Sequence, residues 1–445
     1  MVAEGFTCEV EEGYRSACKR LDSYGEHEGK RYCVLHFPSE EKKDDFRRVL
    51  ESKLAQIDYD FGGAIFPEGT SNFERYEFDV NTRFVGASFR EEANFVGARF
   101  SGVGTSFHKA QFSGENTYFS GAEFSGELTD FTGAKFNARR TDFTGAKFNG
   151  KATVFAHTTF SGELIDFSGA EFSGQETKFL NATFLKNVRF LEVTFREKVL
   201  FVGTKANSVF DSEGWIVFDH ARIDKPELLT FKTVLLRPAW FINMDVRKVE
   251  FFNVKWFGMP SGFDEEIDAL KANRLTTLRD AEERDVIERA YSLLAQACRR
   301  LSANAEENRE YQLANEFHYW SMEADRKKHR ASAFAWWTLI WWYWLLSGYG
   351  EREKRALMWL VGIWVGFAGL YMWVGPVGIE KQSLAGFPQA ASEALVYSLG
   401  VMTRLANAIP KSASTLAEAL IIIEGVLGPL QIGLFLLALR RKFMR

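Results

Sequence analysis

The chain has 445 residues, which at roughly 150 per domain predicts about three units. Its 55 Lys+Arg against 59 Asp+Glu exclude a strongly basic nucleic-acid binder, and an aromatic fraction of 15% excludes a disordered chain. Four cysteines make no disulfide framework, and the first twenty residues lack an apolar signal core, so a reduced compartment is expected for the front of the chain.

Residues 1–60 form the first unit. Cys8, Cys18, Cys33 and His36 are spaced C-x9-C, C-x14-C and C-x2-H. Three thiolates and one imidazole satisfy tetrahedral zinc, and such a site would be structural, because no fourth position is left for water. Unpaired core cysteines and a disulfide are the alternatives. Residues 40–57 predict an amphipathic helix with Phe46, Leu50 and Leu54 on one face.

From 84 to 201 the Phe residues fall in pairs five apart that recur every twelve residues, cleanly from 107/112 to 179/184. Two residues before most of them stands Ala or Thr, as at Ala110, Thr117, Ala122, Thr129, Ala134, Thr141 and Ala146. Spacing by two is strand alternation, so both side chains share one inward face. Units such as FSGAEF and FTGAKF place Ser/Thr-Gly where a short strand turns a corner. The pattern predicts a β-solenoid with stacked Phe ladders, in coils of 22 to 24 residues, about five of them over roughly 25 Å. Alternating apolar residues persist in FDHARI, FKTVLL, WFINMDV and FFNVKWF, predicting end coils to about 258 and a solenoid domain over 61–258. His108 and His157 lie near corners and read as solvated.

These units resemble the pentapeptide-repeat family in the variant with Phe at the central inward position. The resemblance implies a right-handed quadrilateral β-helix used for shape and protein contacts rather than chemistry. Some relatives imitate DNA with an acidic surface; here 13 Asp+Glu face 13 Lys+Arg over 84–201, and no nucleic-acid partner is expected. Repeat proteins with membrane domains often open with a similar Cys and Cys-x2-His segment, which favours zinc at Cys8, Cys18, Cys33 and His36.

Residues 259–332 predict a helical linker, with Ile287, Tyr291 and Leu294 on one stripe and Leu313, Phe317 and Trp320 on a second. Cys298 sits in the first of these helices as a packing residue. AFAWWTLIWWYWLLSGYG, in 333–352, carries eight aromatic residues before its first charge and predicts an interfacial helix, with a third span as the alternative. Over 353–445 two spans are expected, 356–375 and 416–439, with a short re-entrant helix at 389–402 between them. Arg352, Lys354 and Arg355 before the first span and RRKFMR after the second place both termini in the cytoplasm.

The order span, short helix, span resembles the two-helix pore domain of potassium-type channels, and the whole pattern, with EALVYSLG and LLALRRKFMR, resembles a bacterial group of pentapeptide-repeat ion channels. The resemblance implies a multi-pass inner-membrane protein, homotetrameric, whose solenoid assembles subunits or senses a partner. The filter departs from the family's Thr-x-Gly-Tyr/Phe-Gly run. With Thr403 as the filter threonine, the stretch reads Thr403, Arg404, Leu405, Ala406, Asn407, and leucine resists the left-handed backbone that presents carbonyls to an ion. Arg404 would repel cations, or pair with Glu393. Glu424 and Gln431, two turns apart, read as pore lining or helix interface, with Glu418 near the mouth. Gly425, Gly428 and Pro429 read as a gate, as close packing or as a static kink. With no convergent acid, base and nucleophile, an enzyme is not expected. Two readings stand: an ion channel of atypical selectivity, and a non-conducting membrane-tethered scaffold.

Overall fold

The computed structural model describes residues 6–19, 21–204, 208–210, 214–256, 267, 270, 283–328, 338–374, 387–404 and 415–443. Two compact units divide between Val286 and Ile287. The second unit groups into one body the stretches that composition alone separates into linker, aromatic segment and spans.

The first unit is the solenoid with its N-terminal module. Two- to five-residue strands stack in parallel into four sheets of 6, 6, 7 and 8 strands, one per face of the coil. The register is one coil per step: Phe112 pairs with Phe136 and Phe136 with Phe160, while coils on either side of these close in 23, as Phe89 to Phe112 and Phe172 to Phe195. Seven spacings of the longest sheet at about 4.8 Å give a rod of about 34 Å. It is longer than the clean repeat predicts, because coils begin at Ile65–Phe66, before the Phe period settles, and run to Lys255–Trp256.

The inward rule holds at every clean repeat. Phe107, Phe119, Phe131, Phe143 and their successors are fully buried, as are Ala110, Ala122, Ala134, Thr117 and Thr141. Rings of successive coils stack nearly parallel, for example Phe112 on Phe136 at 4.8 Å and 1°. Corners are turns such as Phe119 to Ala122, whose amide donates to the Phe119 carbonyl at 3.0 Å, with Gly121 at φ +64° where a side chain would be strained. His157 occupies the same left-handed corner position, exposed, at φ +54°. A second class of glycine has a different cause: a Cβ on Gly126 would lie 2.0 Å from the Gly102 carbonyl oxygen of the coil below. There the coils touch backbone to backbone.

Helix α1, Lys43–Ala55, lies at the N-terminal end of the rod, where Phe46 packs edge-on against Phe66 at 5.1 Å. Phe46 and Leu50 are buried as the amphipathic pattern predicts, and Leu54 is half-buried. Arg83 ties this module down, donating to the Gly13 carbonyl and the Ser16 hydroxyl at 2.7 Å each.

The second unit is helical: α2, Glu283–Glu307; α3, Tyr311–Lys328; α4, Leu339–Ser347; α5, Glu353–Val374; α6, Phe387–Met402; α7, Thr415–Phe443. Tyr291, Leu294, Cys298, Phe317 and Trp320 are buried, whereas Ile287, expected on the same stripe, is exposed. At about 14 Å, α4 is too short for a third span. Thr338 caps its start, and the left-handed residues Gly348, Tyr349 and Gly350 end it and turn the chain into α5.

Helices α5 and α7 are long and apolar enough to cross a membrane, and only 11% and 17% of their most apolar windows is buried. The core helix of a soluble fold would be covered; these present Met358, Trp359, Val365 and Trp373, and Ile422, Val426 and Leu430, to the outside. Helix α6, about 24 Å long, packs against both. The start of α5 and the end of α7 lie together in a polar band: Arg441 donates to the Tyr349 carbonyl at 3.0 Å and pairs with Glu351, while Arg352 grips Glu316 with two bonds of 3.1 Å. Burial pushes the Tyr349 phenol up, and its hydroxyl donates to Glu323 at 3.2 Å.

Candidate metal centre and polar groups of the spans

A 3-10 turn, Glu12–Cys18, delivers Cys18; the hairpin Gly25–His27 with Lys30–Tyr32 leads into a turn in which the His36 amide donates to the Cys33 carbonyl, setting both ligands of CVLH on one side. The Sγ atoms of Cys8, Cys18 and Cys33 lie 3.5, 3.1 and 3.2 Å from His36 Nδ1, and Cys18 and Cys33 Sγ are 3.4 Å apart. All four donor atoms fall within 4.8 Å of one another. A tetrahedral zinc with bonds of about 2.0 to 2.3 Å holds its ligand atoms about 3.5 to 3.8 Å apart, so the cluster fits zinc.

The surroundings orient the donors. His36 Nε2 donates to the Gly62 carbonyl at 2.8 Å, which fixes the tautomer with Nδ1 facing the thiols, and the Cys33 amide donates to Cys8 Sγ at 3.2 Å. Cys8, Cys33 and His36 are buried and the four cysteines are free, with all three thiols of the cluster turned toward the one imidazole nitrogen. Four protein donors leave no open position, which makes the site structural and places it where the module meets the first coil. Sequence reasoning missed Lys42 beside it: fully buried, its amine donates to the Leu35 carbonyl at 2.8 Å over the Phe46 ring, and burial pushes it down to about 7.

In the helical unit, Glu424, Gln431, Thr403 and Arg404, polar candidates of the pore reading, meet atoms of their own chain. Glu424 is fully buried; it accepts from the Tyr371 hydroxyl of α5 at 2.5 Å, and its other oxygen lies 2.5 Å from the Ser398 hydroxyl of α6. Gln431, also fully buried, donates through Nε2 to the carbonyls of Leu346 at 3.1 Å and Ala356 at 2.8 Å. It thereby serves the C-terminal end of α4, where the Gly350 amide is taken by the Ser347 hydroxyl. Within the chain both side chains sit between packed helices. No spacing rule could have named Tyr371 and Ser398, since each lies on a different helix.

Arg404 does not pair with Glu393, which is exposed on α6 three turns earlier and out of reach. Its guanidinium instead donates to the Gly425 carbonyl at 3.4 Å. That carbonyl would normally accept from residue 429, and Pro429 has no amide hydrogen. Arg404 therefore fills the bond that the proline removes. Gly428 is explained by close packing: a Cβ there would sit 2.2 Å from Met402, whereas Gly425 faces open space. Thr403 donates back to the Leu399 carbonyl at 2.7 Å at the end of α6. Glu418 is exposed in the first turn of α7. Leu405, Ala406 and Asn407 lie outside the described residues.

A family model described as pentapeptide repeats (9 copies) matches residues 84–135, within the stacked coils. Comparison with curated proteins and with solved structures gave no match. The chain thus carries a pentapeptide-repeat β-solenoid joined to a helical region with two candidate membrane-spanning helices.

Proposed function

We propose that this protein is a membrane-tethered scaffold, in which α5 and α7 anchor the chain in a bilayer and the solenoid offers a rigid surface to a protein partner. One observation supports this most: Glu424 and the Gln431 amide nitrogen, polar groups at depth on α7, are bonded within the chain, and the outward residues Ile422, Ile423, Val426, Leu427 and Leu430 are apolar. Ion passage needs groups that replace hydration, and the outward side chains of Ile422, Ile423, Val426, Leu427 and Leu430 are not such groups. The cytoplasmic side fits both chain ends, because the polar band at Arg352 and Arg441 joins the start of one span to the end of the other.

The atypical channel is the second reading, favoured by α6, which is too short to cross and packs against both spans as a pore helix would. It requires a symmetric assembly, four copies by the resemblance, with residues 403–407 at the centre. Flux of potassium, sodium and chloride from liposomes carrying the full chain separates the two. The scaffold gives the leak of empty liposomes; ion-selective flux that changes in Arg404→Ala establishes the channel.

A further inference from the structure

The contacts around Glu424 are fully hydrogen-bonded only with one proton more than an ionised carboxylate brings. The Ser398 hydroxyl lies 3.0 Å from the Trp364 carbonyl oxygen and 2.5 Å from Glu424 Oε1. A hydroxyl has one hydrogen, and a carbonyl oxygen has none to give. When Ser398 donates to Trp364, the hydrogen in its contact with Glu424 comes from the glutamic acid. The other oxygen, Oε2, accepts from the Tyr371 hydroxyl at 2.5 Å. With Glu424 protonated the chain is complete: Glu424 donates to Ser398, Ser398 to Trp364, Tyr371 to Glu424. With Glu424 ionised, Ser398 must serve either the carboxylate or the carbonyl.

No charge compensates a carboxylate here. From α5 the titratable group facing the site is Tyr371; from α6 it is Tyr397, whose ring meets that of Tyr371 edge-on at 5.1 Å. Arg404, beyond the end of α6, is held on the Gly425 carbonyl, and among the described residues Glu424 has no ion pair. Helix α4 meets α7 at Gln431, seven residues on, and its nine residues carry no charge. An uncompensated buried charge is costly, and a neutral acid is not.

We propose that Glu424, Ser398 and Tyr371 form a proton-binding site within the helical region, with Glu424 carrying the proton. Release breaks the Glu424 O–H bond, leaves its electron pair on the carboxylate and passes the proton to water or a buffer base. Ser398 then turns from Trp364 to Glu424, and one of the ties between α5 and α6 is lost; the bond from Trp364 Nε1 to the Leu395 carbonyl, 2.9 Å, remains. Occupancy of the site thus bears on how firmly α6 is held, and it stands apart from whether the protein conducts.

Infrared spectroscopy of the full chain in nanodiscs at pH 7, wild type minus Glu424→Gln, reads the site directly. Glutamine can donate to Ser398 and accept from Tyr371, so this variant is expected to fold, with a helical circular dichroism spectrum and Tm like those of the wild type. The difference spectrum should contain the carbonyl stretch of a protonated carboxylic acid. Loss of carboxylate bands alone would overturn the proposal. Should the variant fail to fold, wild-type protein with carbon-13 glutamate carboxyls answers the same question: a protonated signal that persists at pH 7 while the exposed Glu418 and Glu393 are ionised supports the site, and its absence refutes it.

Discussion

The solenoid and the helical region solve the same problem, satisfying backbone and filling space, by opposite means. In the solenoid every coil repeats the previous one, so Phe131 meets Phe107 below and Phe155 above in the same geometry, at 5.0 and 4.9 Å. In the helical region each tie occurs once: Tyr371 and Ser398 to Glu424, Gln431 to two carbonyls, Arg404 to the carbonyl that Pro429 leaves free. Repetition spreads an interaction over many equivalent residues, whereas single ties concentrate it, and changes in the two regions should therefore act differently.

The largest effect is expected at the end of the solenoid, where repetition stops and a single cluster closes the module. Cys33→Ser should reduce bound zinc from one per chain to a small fraction, measured by elemental analysis, and a strong chelator should open residues 8–62 to protease in the wild type. Structural zinc sites of this kind commonly hold about 10 kcal/mol or more of binding free energy that serves as folding free energy. Zinc-free wild type with the same protease resistance would break the contrast between a stapled end and a self-stacking middle.

Within the coils, Phe131→Ala should cost about 3 to 5 kcal/mol by denaturant unfolding, as a ring is lost from a stack with neighbours on both sides. The two glycine classes sharpen the same point. Gly126→Ala must push apart backbones that stand 2.0 Å from the new Cβ and should cost more than Gly121→Ala, which meets no atom and loses only about 1 kcal/mol to its left-handed φ. Equal costs would mean that the coils separate freely.

In the helical region, Arg404→Ala should lower stability by about 1 kcal/mol by leaving the Gly425 carbonyl without its donor. Pro429→Ala supplies the amide that the proline lacks, so the loss from Arg404→Ala should largely vanish in that background. A double-mutant cycle measured by thermal unfolding in detergent checks this, and additive effects would remove the proposed role of Arg404. The smallest effect has the opposite sign: Thr117 and Thr141 bury hydroxyl oxygens without a partner, so Thr117→Val should raise stability by up to about 1 kcal/mol.

The same contrast explains what the sequence made legible. A period of twelve writes each inward Phe and Ala many times, and the Cys-x2-His spacing brings Cys33 and His36 together by one local turn. The regular Phe period is legible only from 84, whereas the stacking begins earlier, within the 61–258 expected for the solenoid, as Phe61, Phe66, Phe73 and Phe78 already join the stacks. In α7 the sequence marked Glu424 and Gln431 as polar at depth but could not say toward what, since their partners lie on α4, α5 and α6. Glu393 was the nearest acid to Arg404 in the sequence, yet the open bond lay on α7. Length and apolar content announce a span; which side chains close on each other is decided by packing between helices, and no periodicity records it.

Alkaline carbonate extraction of membranes containing the full chain tests most directly whether these two regions live in different solvents. If the exposed apolar faces of α5 and α7 meet lipid, the protein stays in the membrane pellet at high pH. Release into the supernatant would contradict that claim and assign those faces to contacts with other protein.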